Sequence, residues 1–211
     1  MPTKDKNDNI TNYRKETGDI MKYLTLGTDT ITEEKFREIK DREDKIKPTG
    51  GLWLTEQTEG VNYNQWIDFI IWRKHLLYYK YNKGTSIWTQ PCSIVTLKDN
   101  SNIYQVREKE HLDILLKNYP KDWKFSYQEL SKDYDGLFIK FISFPTEKYT
   151  EPMRSELETF CVDTLLLFNP HCIDYYQKGV VNIEPFDYEE HVDEPIYEIK
   201  VDNVKRKVLK R

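Results

Sequence analysis

Two short, almost unbroken apolar runs set the strongest limit on how this chain can fold. Residues 135–144 read DGLFIKFISF and residues 161–168 read CVDTLLLF. Successive strand side chains point to opposite faces, so a strand with one wet face alternates apolar and polar residues. The first run is polar only at Lys140 and Ser143 within its apolar stretch, and the second holds four apolar residues in a row after Thr164. Both are therefore predicted as central strands with both faces covered.

The rest of the chain mixes helical and strand periodicities. Residues 20–28 (IMKYLTLGT) and the stretch beginning Leu52–Thr55 read as strands, and Ile196–Val201 as another. Thr30 with Glu33 forms a capping-box pattern, and Phe36 and Ile39 then give a short charged helix an apolar stripe. The strongest helical pattern is residues 63–81, where Trp66, Phe69, Ile70, Arg73 and Leu77 follow helical spacing. Cys92–Leu97 and Asn102–Val106 are expected to pair as a hairpin across LKDNSN. Helices are expected over 108–119, ended by Pro120, over 126–132 and over 153–160. The mixed order predicts one α+β domain, residues 19–203, with mixed and antiparallel strands. Residues 1–18 read as a loose arm and 204–211 as a basic, solvated tail.

Composition narrows the class. The formal net charge is −4, and the last seven residues (KRKVLKR) carry five positive charges, so the remainder carries −9. An acidic body argues against a general nucleic-acid coat, while its basic tail could bind nucleic acid or an acidic partner. No apolar run reaches the roughly 20 residues needed to span a bilayer, which predicts a cytoplasmic protein with no membrane contact. The cysteines, Cys92, Cys161 and Cys172, are too scattered for a disulfide framework, and the histidines lack metal-type spacing, so no metal site is expected. Phosphate-loop, dinucleotide-fingerprint and nucleophile-elbow patterns are all missing from the sequence.

Two places could carry chemistry. Asp163 interrupts an apolar run, and a buried carboxylate must be hydrogen-bonded or neutralised. It either ties down a loop at the wet end of the strand or orients a ligand at the floor of a cleft. In KPTGGLWLT, two of only eight glycines stand side by side before Trp53. Glycine beside a strand marks a bulge or turn, or a close approach by another backbone or a flat ligand. Trp53 and Thr55, two residues apart, would offer that ligand a stacking surface and a hydroxyl.

Taken together, KPTGGLWLT, KDYDGLFIK and CVDTLLLFNPHCI resemble a set of phage and bacterial proteins. These carry a K-P-x-G-G-L-W-x-[ST] strand, a Y-D-[GA]-[IL] strand and an acidic-[ST] strand ending in N-P. The order of these segments is in turn similar to the ADP-ribosyltransferase plan. That plan implies an ADP-ribosyltransferase-like fold with a central cleft and NAD as substrate, and a macromolecular acceptor, protein or nucleic acid. It implies Thr25 or its neighbours at the first-strand position, Gly51, Trp53 and Thr55 on the second strand, and Asp163 as the catalytic acid. The first strand has no His or Arg, only Lys22, and the acid is Asp rather than Glu. The alternative is an inactive phage or host-interaction protein that keeps the same fold.

Overall fold

The computed structural model describes residues 22–45, 47–58, 64–70, 88–140, 153, 160, 162–183 and 197–208. In chain order the strands are β1 (Lys22–Leu26), β2 (Leu52–Gln57), β3 (Trp88–Leu97), β4 (Ile103–Val106), β5 (Pro120–Lys121), β6 (Lys124–Phe125), β7 (Gly136–Ile139), β8 (Thr164–Leu167), β9 (Ile173–Ile183) and β10 (Tyr197–Val201). Helix α1 is Lys109–Asn118 and the single turn α2 is Tyr127–Leu130. A further helical segment covers 65–70. Eight strands form one mixed sheet in the order β10-β9-β3-β1-β2-β8-β7-β4, and β5 with β6 makes a separate small hairpin. Neighbours in the large sheet are antiparallel except β4 and β7, which are parallel. The chain is thus α+β, as the interspersed pattern predicts.

Strand parity sorts the core into three groups. Leu52, Leu54, Phe138, Leu165 and Leu167 join Tyr23, Val95 and Tyr176 on one face, which Ile31, Phe36 and Val208 cover. We call this the inner face. On the outer face, Trp53, Leu137, Ile139 and Leu166 pack against Leu112 and Leu115 of α1, Phe125 of β6, and Tyr127 and Leu130 of α2. The other half of the outer face carries Leu24, Cys92, Ile94 and Val181 against Ile67 of the 65–70 segment. The apolar runs are thereby explained where they form β7 and β8; residues 141–144 and 161 lie outside the described residues. All four residues of β7 are buried, and Leu165, Leu166 and Leu167 are each at most 1% exposed. Each such leucine contributes about 1.5–3 kcal/mol of burial.

Several expectations need correction. Cys92–Leu97 and Asn102–Val106 are extended but do not pair: β3 lies between β1 and β9, and β4 lies beside β7. Asp135 is the cause, because its carboxylate accepts the Asn102 N–H (2.9 Å) while its own N–H donates to Asn102 O (2.8 Å), which starts β4 along β7. The expected helix after Thr30 is one 3-10 turn, Glu33–Lys35, and the Thr30 hydroxyl donates to Asp29 instead of capping it. Strand β8 starts at Thr164, so Asp163 precedes it.

The basic tail is not wholly solvated: it is docked at Arg206 and Val208, while Lys205 and Lys207 remain exposed. Arg206 exchanges two 2.8 Å backbone hydrogen bonds with Tyr176, and Lys207 pairs with Asp174 at 2.7 Å. Val208 packs on the inner-face core. The arm 1–18 and the 71–81 part of the long helix lie outside the described residues, as does the 153–160 helix apart from its two end residues. Among the described residues no helix is long and apolar enough to cross a membrane.

Candidate functional site at a fork in the sheet

Strand β2 changes partner halfway along its length. Residues Leu52–Leu54 pair with Leu167–Leu165 of β8, whereas Thr55–Gln57 pair with Leu24–Lys22 of β1. Thr164 pairs onward with Ile139 of β7. Beyond Leu54 and Leu165 the two strands therefore part, leaving Thr55–Gln57 on one side of a fork and Asp163–Thr164 on the other.

Backbone groups released where a ladder splits need new partners. The start of the 65–70 segment supplies them. Asn64 Nδ2 donates to Glu56 O (3.0 Å) and to Gln57 Oε1 (3.0 Å), while Gln65 Oε1 accepts the Asp163 N–H (3.0 Å). Asn64 Oδ1 also accepts the Trp66 N–H (3.0 Å), the helix N-cap arrangement. The Asn64 N–H donates to the Tyr197 hydroxyl, which ties β10 to the same point. Asn64 is 1% exposed, so one buried residue ties the β2 side of the fork to the edge strand β10. Sequence reasoning passed over it, although Asn directly before a helical pattern is itself an N-cap signal.

The residues expected to form a site divide across this geometry. Asp163 is half-buried at the fork. Thr55 also lies at the fork, on the outer face opposite Leu24, and among the described residues its buried Oγ1 has no hydrogen-bond partner. Thr25, opposite Ser93, has the parity of Tyr23 and is buried on the inner face. Thr25 and Thr55 therefore lie on opposite faces. Trp53 packs on the α1 side, with Lys47 Nζ 5.8 Å from its ring centroid and 4.6 Å from that of Phe160.

Gly51 lies about 13 Å along β2 from Thr55 at strand rise. Its φ is +70°, and a Cβ there would sit 2.6 Å from Leu166 Cδ1 and 2.7 Å from Leu167 O. Gly50, φ +88°, would meet Glu38 O at 2.4 Å. What approaches the glycine pair is the chain's own backbone and core.

The three segments that carry the resemblance become adjacent strands, β2, β8 and β7. Gly136 mirrors Gly51 from the other side, because a Cβ on it would lie 2.8 Å from Leu166 O. The Asp135 carboxylate also accepts from Asn169 Nδ2 (3.0 Å), locking the N-P turn after β8 to the start of β7.

Three charged or phenolic groups gather on the inner face beside the fork. Tyr23 stands opposite Glu56 in the β1–β2 ladder. Arg107, just past β4, holds its guanidinium carbon 4.9 Å from the Phe138 ring centroid, and its Nε donates to Gln105 Oε1 at 2.6 Å. Burial first, and then the Glu56 charge, push the Tyr23 phenol well above its ordinary range, while Arg107 pulls it down. The Tyr23 hydroxyl is thus neutral at any physiological pH and sits within the fields of an acid and a base.

Among the described residues, no group of three or more His, Cys, Asp or Glu is placed to hold a metal ion. Comparison with protein-family models, with curated proteins and with solved structures finds no match to this chain.

Proposed function

We propose that this chain is an ADP-ribosyltransferase-like protein that takes NAD as substrate at the β2–β8 fork. The observation that carries the reading is strand adjacency. The first strand, the Gly-Trp strand and the acid-bearing strand, which the resemblance assigns to the nucleotide, stand side by side as β1-β2-β8. The fork between the last two brings Thr55, Glu56 and Asp163 beside the apolar β2–β8 ladder. In this reading the bond between C1′ of the ribose and the nicotinamide nitrogen breaks, and nicotinamide leaves neutral with the electron pair. The Asp163 carboxylate stabilises the positive charge left on the ribosyl unit until an acceptor X–H bonds to C1′ and passes its proton to solvent. The acceptor is a protein side chain or a nucleic-acid base.

A second reading, a non-catalytic interaction protein of phage or host context, has a specific observation in its favour. Thr25 and Thr55 face opposite ways, and the space beside Gly51 is filled by Leu166 and Leu167. Calorimetric titration with NAD, paired with an assay of nicotinamide release, separates the two. Binding and release that are both lost in Asp163→Asn, with the melting temperature kept, support the transferase. Failure of the wild-type protein to bind NAD at millimolar concentration supports the interaction module.

A further inference from the structure

A strand at the end of a sheet leaves one row of N–H and C=O groups without a ladder partner. Proteins shield such rows with lysine, proline, bulges or a covering element. Strand β4 ends the large sheet, yet its sequence, IYQV, holds no charge and no proline, and its pairing with β7 has no bulge. We propose that this edge seats a second copy of the chain, joined antiparallel through β4 about a two-fold axis at Tyr104.

The direction of each backbone group follows from the β4–β7 ladder. The Lys140 N–H donates to Val106 O (2.9 Å) and the Asp135 N–H to Asn102 O (2.8 Å), so the even-numbered residues of β4 face β7. Ile103 and Gln105 alternate with them and turn their N–H and C=O groups outward. Among the described residues these outward groups have no partner. The open row stops there at both ends. The Ser101 N–H donates to Lys98 O (3.1 Å), and the Arg107 N–H donates to His111 Nδ1 (3.3 Å).

That spacing is self-complementary. In an antiparallel pair, facing residues exchange both hydrogen bonds, and such pairs recur at every second residue. With Tyr104 opposite its own copy, Ile103 faces Gln105 and Gln105 faces Ile103, and every outward group of both copies is satisfied. Centring on Ile103 or Gln105 instead would oppose these groups to Ser101 or Arg107, whose N–H groups are already used. The charges beside the strand agree with the same register. Counting outward from Tyr104, Asp99 comes opposite Lys109 and Lys98 opposite Glu110, with no like charges facing. An axis normal to the sheet keeps the two outer faces on one side. Both α1 helices, held over β4 by the Tyr104 hydroxyl donating to His111 O (3.0 Å), then lie on that side, each with Ile114 39% exposed. Such a contact uses the same patch twice and closes at two copies. The four paired residues of β4 span only about 14 Å at strand rise, so the association is weak.

The test is analytical ultracentrifugation of the full-length chain from about 5 to about 500 μM. The wild type is expected to pass from monomer to dimer with a dissociation constant of about 10–100 μM. Gln105→Pro removes an outward N–H and no ladder bond, and is expected to raise that constant about tenfold or more. Lys109→Glu is expected to weaken the dimer about threefold to tenfold, and Asp99→Lys in the same chain to restore it. A wild type that is monomeric at about 500 μM overturns the proposal, as does a Gln105→Pro chain that dimerises like the wild type. A double charge variant no tighter than Lys109→Glu overturns the register and the two-fold axis with it. If Gln105→Pro fails to fold, hydrogen exchange in the wild type decides. The amides of Ile103 and Gln105 should be more protected at the higher concentration. Protection there that does not change with concentration marks a different partner for this edge and overturns the second copy.

Discussion

Replacing Gly51 by alanine tests the account of how β2 enters the sheet. At φ +70° any L side chain carries left-handed strain of about 1–2 kcal/mol. Its Cβ would also lie 2.7 Å from Leu167 O and 3.0 Å from Ile39 Cδ1, besides the Leu166 methyl at 2.6 Å. Leu167 pairs with Leu52 in the β2–β8 ladder, so its carbonyl cannot retreat without disturbing that pair. Forcing a methyl into such a packed place costs about 1–3 kcal/mol. The expected total is roughly 2–5 kcal/mol. Gly27→Ala is the matched control: its φ is +82°, but no atom lies within 4 Å of the added Cβ, so it should show only the strain. Urea unfolding at 25 °C, followed by tryptophan fluorescence, gives both values. Equal destabilisation of the two variants, within about 0.5 kcal/mol, would refute the close-packing argument.

Other expectations follow from the same geometry. Deleting residues 205–211 should destabilise the chain by about 1–3 kcal/mol, since it removes two backbone hydrogen bonds to Tyr176 and the Val208 contact; an unchanged melting temperature would mean the tail does not dock. Asp41→Ala should cost about 3–5 kcal/mol, because that carboxylate, 1% exposed, accepts from Tyr127 N (2.8 Å), Ser126 Oγ (2.5 Å) and Lys121 Nζ (3.2 Å); a loss under 1 kcal/mol in urea unfolding would contradict this. Burial pushes the thiols of Cys92 and Cys172 from 9.0 up to about 12. The folded state thus holds these protons longer than the unfolded state. Their contribution is complete below pH 9 and is lost as pH rises toward 12, by about 1.4 kcal/mol per pH unit for each thiol. Unfolding curves from pH 8 to pH 11 check that slope, and flat stability across the range would remove both thiols from the core.

The sequence announced two interior strands, β7 and β8, more clearly than the sheet's edges or its site. GLFI and TLLL were readable because both faces are covered, which erases the usual alternation. The 11-residue β9 escaped notice since Asp174, Gln177, Lys178, Gly179 and Asn182 break any apolar pattern. Gly179 is there for fit: a Cβ would meet Cys92 Sγ and Lys200 O, each at 2.8 Å. The expected hairpin failed because pairing is decided by distant groups. Asp135 recruits β4 from 33 residues away, and no local signal in LKDNSN reports that. Likewise the glycine pair, Asp135 and Asn169 stand out in the sequence, yet the structure employs them in strand entry and turn locking. Asn64, which holds the β2 side of the fork, lay unremarked inside the expected 63–81 helix. Its placement depends on the partner change in β2, which only the assembled sheet displays.

Hydrogen exchange with and without NAD tests the central claim, that the substrate is held where β2 and β8 part. The account expects NAD to slow exchange at amides 55–57 and 163–164, and to leave those of α1 and of the β5–β6 hairpin unchanged. Protection confined to α1 or the hairpin, or no protection at saturating NAD, would contradict it.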